Sequence, residues 1–194
     1  MRKTQLIGIT GGIASGKTLV SNYLVKKGFE VIDTDELARE VYAHSSIQKK
    51  ILSKWKTLDR RKIRQLVFSD TKNRQWIEKL LHPYIWKAVQ RHLKLLGPNH
   101  PFIFVVVPLL FETKSQYRFD KVVSVICPKT MQLSRLVKRD GISTSLAKKM
   151  IESQWTNKKK IEFSDYVIKN SGTKSELVQK INQFLLKLLS ELSD

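Results

Sequence analysis

Apolar positions along the chain follow two rhythms. Short continuous runs rich in β-branched residues recur at 5–10, 30–33, 102–107, 121–126 and 166–169. Longer stretches between them space apolar residues three and four apart, which keeps them on one helix face. Strands alternating with helices predict a parallel sheet with crossover helices. The run "FIFVVV" at 102–107 is apolar at every position, so it predicts a strand covered on both faces. Between the second and third runs, residues 36–96 carry helical spacing throughout, in "IQKKILSKW" and "IEKLLHPYIWKAVQRHLKLL", up to Gly97-Pro98. That is too long for one crossover and predicts an inserted helical subdomain. Residues 132–163 read as helical and very basic with a break at Gly141, and 174–192 as an amphipathic helix packing back on the sheet.

The first run leads straight into "GGIASGKT", Gly11 to Thr18, a complete G-x-x-x-x-G-K-[ST] loop. Small residues let successive amides curl around phosphate oxygens, and the following helix presents its positive end to the anion. Lys17 supplies a mobile charge to the outer phosphates, and the Thr18 hydroxyl is placed to ligate Mg²⁺. Gly28 stands where a helix C-terminal glycine belongs. Ala14 occupies a position suited to alanine only if its φ is negative.

A phosphate loop shows that a nucleoside triphosphate binds, not which reaction it then enters. Asp33 and Asp35 end the second run, "FEVID", and so fall at the carboxyl edge of the sheet, where open parallel sheets bind ligands. Asp33 reads as a carboxylate able to take a proton from an incoming hydroxyl or hold metal-bound water. Asp35 reads either as the cap of the helix "ELAREVY" or as part of the site. Arg135 and Arg139 lie four apart on one helix face, suited to neutralising charge built up in phosphoryl transfer, or simply solvated.

Charge adds a further constraint. Lys and Arg number 36 against 17 Asp and Glu, a net charge of +19, which attracts polyanions. The basic residues are spread along the chain, densest at "KKK" 158–160, with no zinc-finger spacing or RNA-recognition aromatic motif. Cys127, the one cysteine, lies in "VVSVICP" and reads as a small buried hydrophobe in a reducing compartment. The basic start has too short an apolar part for a leader, and "PFIFVVVPLLF" is too short to span a bilayer, so a cytoplasmic protein is expected.

Taken in order, these motifs resemble the dephospho-coenzyme A kinase family. "TGGIASGKT", "DTDELAREV" (33–41), "LDRRKIRQLVFSD" (58–70), His82-Pro83, "PLLFE" (108–112), Q-x-x-R-x-x-x-R-D (132–140) and "SDYVIKNSG" (164–172) follow the family's pattern across nearly the whole chain. The resemblance implies a P-loop fold, a three-layer α/β/α arrangement with a five-stranded parallel sheet, and a single kinase domain over 1–194. Its nucleotide-binding core would comprise 5–34, 98–131 and 164–194, with a helical acceptor-binding insertion at 35–97 and a helical lid at 132–163. It implies transfer of the ATP γ-phosphoryl group to the ribose 3′-hydroxyl of dephospho-coenzyme A. Asp33 would be the base, Lys17 and Arg139 would act on the phosphates, and Arg135 would support Arg139. Gly12, Ile13, Ala14, Ser15, Gly16, Lys17, Thr18 and Leu19 would hold ATP, Thr18 the Mg²⁺, and Asn170 and Gly172 would lie near the adenine. Asp35, Arg39, His82, Leu109 and Phe111 would face the acceptor. The expected state is a monomer, with an oligomer left open, and no specific nucleic acid or membrane partner. The alternatives are a nucleoside or nucleotide kinase of the same fold, or a nucleic-acid-dependent ATPase. The stretch between Tyr42 and Leu58 is shorter than the family's usual one.

Overall fold

The computed structural model describes residues 4–191. Five strands, β1 (Gln5–Gly11), β2 (Glu30–Asp33), β3 (Phe102–Val106), β4 (Lys121–Ile126) and β5 (Tyr166–Lys169), form one parallel sheet in the order β2-β3-β1-β4-β5. The register sets Ile7 opposite Phe104 and Ile9 opposite Val123. Every residue of β3 is buried, as its unbroken apolar run requires. The chain leaves β1 toward β2 and β3 on one side and returns to β4 on the other. The order therefore reverses at β1, and its carboxyl end is where such sheets bind ligands.

The chain divides into two compact units, Met1–Ile32 with Gly97–Asp194, and Asp33–Leu96. In the first, helices α1 (Lys17–Lys26) and α9 (Lys174–Ser190) bury Val20, Leu24, Leu177, Ile181, Phe184 and Leu188 against Ile7, Ile9, Phe104, Val123, Val125 and Ile168. Phe104 is the hub, meeting Phe29 edge-on at 5.5 Å and Phe184 at 6.2 Å. Gly8 lies on the opposite face, where a methyl group would press on Leu110 and Phe119. The α1 helix stops as its sequence dictates: Gly28 takes φ +83°, and the amides of Gly28 and Phe29 close on the carbonyls of Val25 and Leu24. Thr173 and Glu176 form a reciprocal capping box at the start of α9.

The first unit also holds α6 (Lys129–Asp140), α7 (Thr144–Glu152) and α8 (Asn157–Glu162). The expected break at Gly141, φ +64°, is present, and a second turn that the pattern did not announce separates α7 from α8 at 153–156. Among the described residues no helix is long and apolar enough to cross a membrane.

The second unit is all helical: α2 (Thr34–Ala43), α3 (Ser45–Trp55), α4 (Arg60–Ser69) and α5 (Thr71–Leu96). Among the described residues, Leu37, Val41, Ile47, Ile51, Ile63, Ile77, Ile85 and Val89 are its buried apolar side chains. Trp55 meets Trp76 edge-on at 5.0 Å and donates its indole N–H to Asn73 at 3.3 Å, tying α3 to α5. Pro83 sits inside α5 without interrupting it, although it offers no N–H to the carbonyl of Lys79.

Candidate active site

The loop between β1 and α1 turns through three positive φ angles: Gly11 at +151°, Ala14 at +56° and Gly16 at +101°. A negative φ was expected at Ala14, and the structure corrects this. To wrap its amides inward the loop puts alanine in the left-handed region, at a cost of about 1–2 kcal/mol. Lys17 Nζ donates to the carbonyls of Gly11 and Gly12, both at 3.0 Å, which draws the ammonium across the loop. Helix α1 begins with Gly16 at its N-cap and no side-chain cap, so its positive end faces the loop. Thr18 and Leu19 are exposed on that first turn.

Neighbouring side chains hold the loop from three sides. Asn170, 3% exposed at the end of β5, donates Nδ2 to the Ser15 carbonyl at 2.8 Å, and its amide reaches the Ile126 carbonyl at 2.7 Å. A methyl group at Gly16 would run into Asn170, and one at Gly12 into Gln132 of α6. The Ile13 amide donates to Gln154 Oε1 at 2.7 Å. Asn170 therefore shapes the phosphate loop with a buried side chain. Gly172 is exposed, and any side chain there would displace Glu176 from the α9 capping box.

Two polar atoms beside this loop are buried without a hydrogen-bond partner among the described residues: Ser15 Oγ and Arg135 Nη1. A buried polar atom in this state is completed by a bound group or an ordered water. The Arg135 guanidinium stands beside Cys127, whose thiol lies 4.0 Å from the Ala14 carbonyl. Burial pushes the Cys127 thiol up, with the Arg135 and Lys17 charges opposing. Arg139 is in a different setting: its side chain is 59% exposed and grips Asp140 through two bonds of 2.6 and 3.0 Å. The two arginines thus share a helix and differ in surroundings.

The loop after β3 departs most from expectation. Phe111, expected to face the acceptor, is 0% exposed. Its ring stacks on Trp155 at 5.5 Å and 7°, and Phe163 closes the cluster, so Phe111 is a core residue. Leu109 is half-buried, and its carbonyl accepts from the Thr113 hydroxyl at 2.8 Å. Lys160, from the densest basic run, is 0% exposed and meets Glu112 Oε1 at 2.6 Å.

In the helical unit, Asp33 rather than Asp35 is the cap of α2: its Oδ1 accepts from the Asp35 amide at 2.8 Å. Asp35 lies in the first turn, where a carboxylate favours the positive helix end. Arg39 is exposed and pairs with Glu36 at 3.6 Å. His82 sits in α5 just before Pro83. A cavity of about 710 Å³ is lined by Lys49, Lys50, Lys54 and Lys79 with Ser53, Trp76 and Leu80, a charge pattern suited to a polyanion.

Among the described residues no group of three His, Cys, Asp or Glu side chains is placed to share a metal ion.

Comparison with known proteins adds an independent line. The model of the dephospho-CoA kinase family matches residues 5–176. The chain is 37% identical over 187 residues to the dephospho-CoA kinase of Fusobacterium nucleatum subsp. nucleatum, covering 92% of this chain and 96% of that one. The crystal structure of TT1252 from Thermus thermophilus superposes with a TM-score of 0.85 at 28% identity, covering 98% and 99% of the two chains. Dephospho-CoA kinase from Campylobacter jejuni superposes with a TM-score of 0.70 at 26% identity, over 94% of this chain and 96% of that one.

Proposed function

The chain belongs to the dephospho-CoA kinase family, and from that premise we propose how its residues divide the work. It is an ATP-dependent kinase that phosphorylates a hydroxyl group of dephospho-CoA. The finer assignment is to the ribose 3′-hydroxyl, with coenzyme A and ADP as products. The observation that supports phosphoryl transfer at this loop most directly is that the Ser15 hydroxyl and Arg135 Nη1 are buried without a hydrogen-bond partner among the described residues. Phosphate oxygens would satisfy both.

The segment from Gly12 through Leu19 cradles the triphosphate with loop amides other than those of Ile13, Ser15 and Leu19, which bond to Gln154, Gly12 and Gly16, and Lys17 turns its ammonium from the loop carbonyls toward the outer phosphates. Asn170 keeps the loop in shape, and the segment from Asn170 to Gly172 lies near the adenine. A magnesium ion on the Thr18 hydroxyl would supply charge neutralisation across the β- and γ-phosphates. Asp33 accepts the proton of the ribose hydroxyl as its oxygen attacks the γ-phosphorus in line and the bond to the ADP oxygen breaks. Arg135 and Arg139 of the lid, 132–163, take up the charge spreading over the transferred group. The helical region 35–97, with Asp35, Arg39 and His82, together with Leu109, receives the acceptor. Both substrates are polyanions, which gives part of the +19 charge a use. The reaction and the reduced thiol fit the cytoplasm, and a monomer suffices for it.

The test is ADP release with Mg-ATP and dephospho-CoA, adenosine, AMP or no acceptor. Turnover with dephospho-CoA alone is expected. Equal turnover with adenosine or AMP would replace this reading with a general nucleoside or nucleotide kinase. Hydrolysis stimulated by polynucleotide and lost steeply with salt would replace it with a nucleic-acid-dependent ATPase.

A further inference from the structure

The turn between α7 and α8 is short and exposed at Ser153 and Thr156, yet it is pinned at each residue between them. Gln154 points its carboxamide oxygen at the Ile13 amide, 2.7 Å away across 141 positions of sequence. The next residue, Trp155, donates its own amide to Glu112 Oε1 at 2.8 Å and stacks its ring on Phe111. The same Glu112 oxygen receives Lys160 Nζ at 2.6 Å, in a pair with exposures of 7% and 0%. Asn157, opening α8, donates Nδ2 to the Cys127 carbonyl at 2.8 Å, at the end of β4.

We propose that Gln154 is a positioning residue for ATP: its carboxamide fixes the Ile13 amide and so the shape of the phosphate loop, while the buried Glu112–Lys160 pair fixes Gln154. This rests on the nucleotide-loop reading above and extends it. The loop needs holding because Ala14, the residue after Ile13, sits at φ +56°, an uphill conformation for a side chain. Left alone, that peptide gains by swinging back toward negative φ, which turns the neighbouring amides away from the phosphate. A hydrogen bond to Ile13 opposes the swing. Only the carboxamide oxygen can accept from an amide, so the donor fixes the orientation of Gln154. The side chain does not touch phosphate in this assignment. It acts through the backbone, and it comes from a turn that the Glu112 loop and the end of β4 hold in place.

The role separates nucleotide affinity from the chemical step. In Gln154→Ala, the KM for ATP and the equilibrium dissociation constant for MgATP, measured without acceptor, are expected to rise about 5–30-fold, the loss of one half-buried hydrogen bond. kcat and the KM for dephospho-CoA should stay within about twofold of wild type. Hydrogen exchange at the Ile13 amide should speed up in Gln154→Ala and slow again in Gln154→Glu, whose carboxylate accepts the same bond. Glu152→Ala, which breaks only the exposed Lys129–Glu152 pair nearby, should leave all of these values unchanged. The proposal is overturned if Gln154→Ala leaves MgATP affinity and Ile13 exchange unchanged, or if Glu152→Ala weakens MgATP as much. A parallel fall in kcat and in both affinities, tracking a lower Tm, would likewise reduce Gln154 to a folding role and overturn it. Because affinity is read without acceptor, a failure of the dephospho-CoA assignment would appear separately, in the turnover of the wild type.

Discussion

Asp33 Oδ1 accepts the Asp35 amide hydrogen at 2.8 Å, so the carboxylate assigned to proton transfer is also the N-cap of α2. The capping bond uses one oxygen, and the other lone pairs remain on the carboxylate for chemistry. Two substitutions separate these duties. Asparagine caps a helix about as well as aspartate, whereas alanine costs about 1 kcal/mol. Asp33→Asn should therefore melt within about 1 °C of wild type, while Asp33→Ala melts about 2–4 °C lower. Both should lose about 10²–10⁴-fold in kcat if the carboxylate is the base. Full turnover in Asp33→Asn would leave Asp33 as a cap and nothing more.

Ala14 at φ +56° makes a prediction of opposite sign. Glycine adopts that region without the steric penalty, so Ala14→Gly relieves strain in the folded state while adding freedom to the unfolded chain. The first effect is about 1–2 kcal/mol and the second about 0.4–1 kcal/mol, which leaves a small net gain. Differential scanning calorimetry should show a Tm unchanged or raised by a few degrees, with MgATP still bound. A fall of several degrees would mean that Ala14 prefers this geometry for a packing reason.

The Glu112–Lys160 pair gives the largest expected loss of stability. Breaking a buried ion pair by removing one partner costs about 3–5 kcal/mol, because the other charge stays buried. Lys160→Met and Glu112→Gln should each lower Tm by roughly 6–20 °C, while Glu112→Leu with Lys160→Met recovers most of it. If Lys160→Met alone melts like wild type, the ammonium is not confined as its 0% exposure requires.

The strands were legible almost to the residue, because short runs rich in β-branched residues mark them, unbroken in β3, which is buried throughout. Residues 30–33, 121–126 and 166–169 match the strands, and the other two runs differ by one residue at one end. The phosphate loop was legible because its chemistry fixes residue types at fixed spacing. Gln154 carried no such mark: its partner Ile13 lies 141 positions away, and a glutamine in a turn looks like any other. The burial of Lys160 was hidden for a related reason. Three consecutive lysines look solvated, and only the fold reveals that Glu112, 48 positions earlier, takes one of them inside. Phe111 was placed at the acceptor by motif alone, and its stacking on Trp155 could be seen only in three dimensions.

Acid and alkali should both loosen the end of α9. Glu191 accepts from the Tyr166 hydroxyl and meets Lys121 Nζ at 3.4 Å, and these partners, the hydroxyl first, hold its carboxyl below the usual range. A depressed folded value means that the contribution is present above the unfolded pKa of about 4.3 and is lost as pH falls through the folded one. Burial, then the Glu191 hydrogen bond, pushes the Tyr166 phenol up. Its contribution is present below the unfolded pKa of about 10 and is lost as pH rises beyond it. Tyr166→Phe should flatten both limbs of a plot of Tm against pH. Unchanged limbs would show that the contact does not bear on stability.

The central strand of the sheet is the first one synthesised. Gln5 of β1 finds its ladder partner at Phe102, 97 positions on (102 − 5), and Ile7 pairs with Lys121 later still. At roughly 5–20 residues per second, translation leaves β1 waiting about 5–20 s for β3. For that interval both of its edges offer unpaired amides and carbonyls, and its neighbour in sequence, α1, can shield only one face. Pairings this distant in sequence are slow to close. The nascent chain therefore carries its nucleotide loop on an unsupported strand until more than half of this chain has been made, and that interval is when it most needs a chaperone.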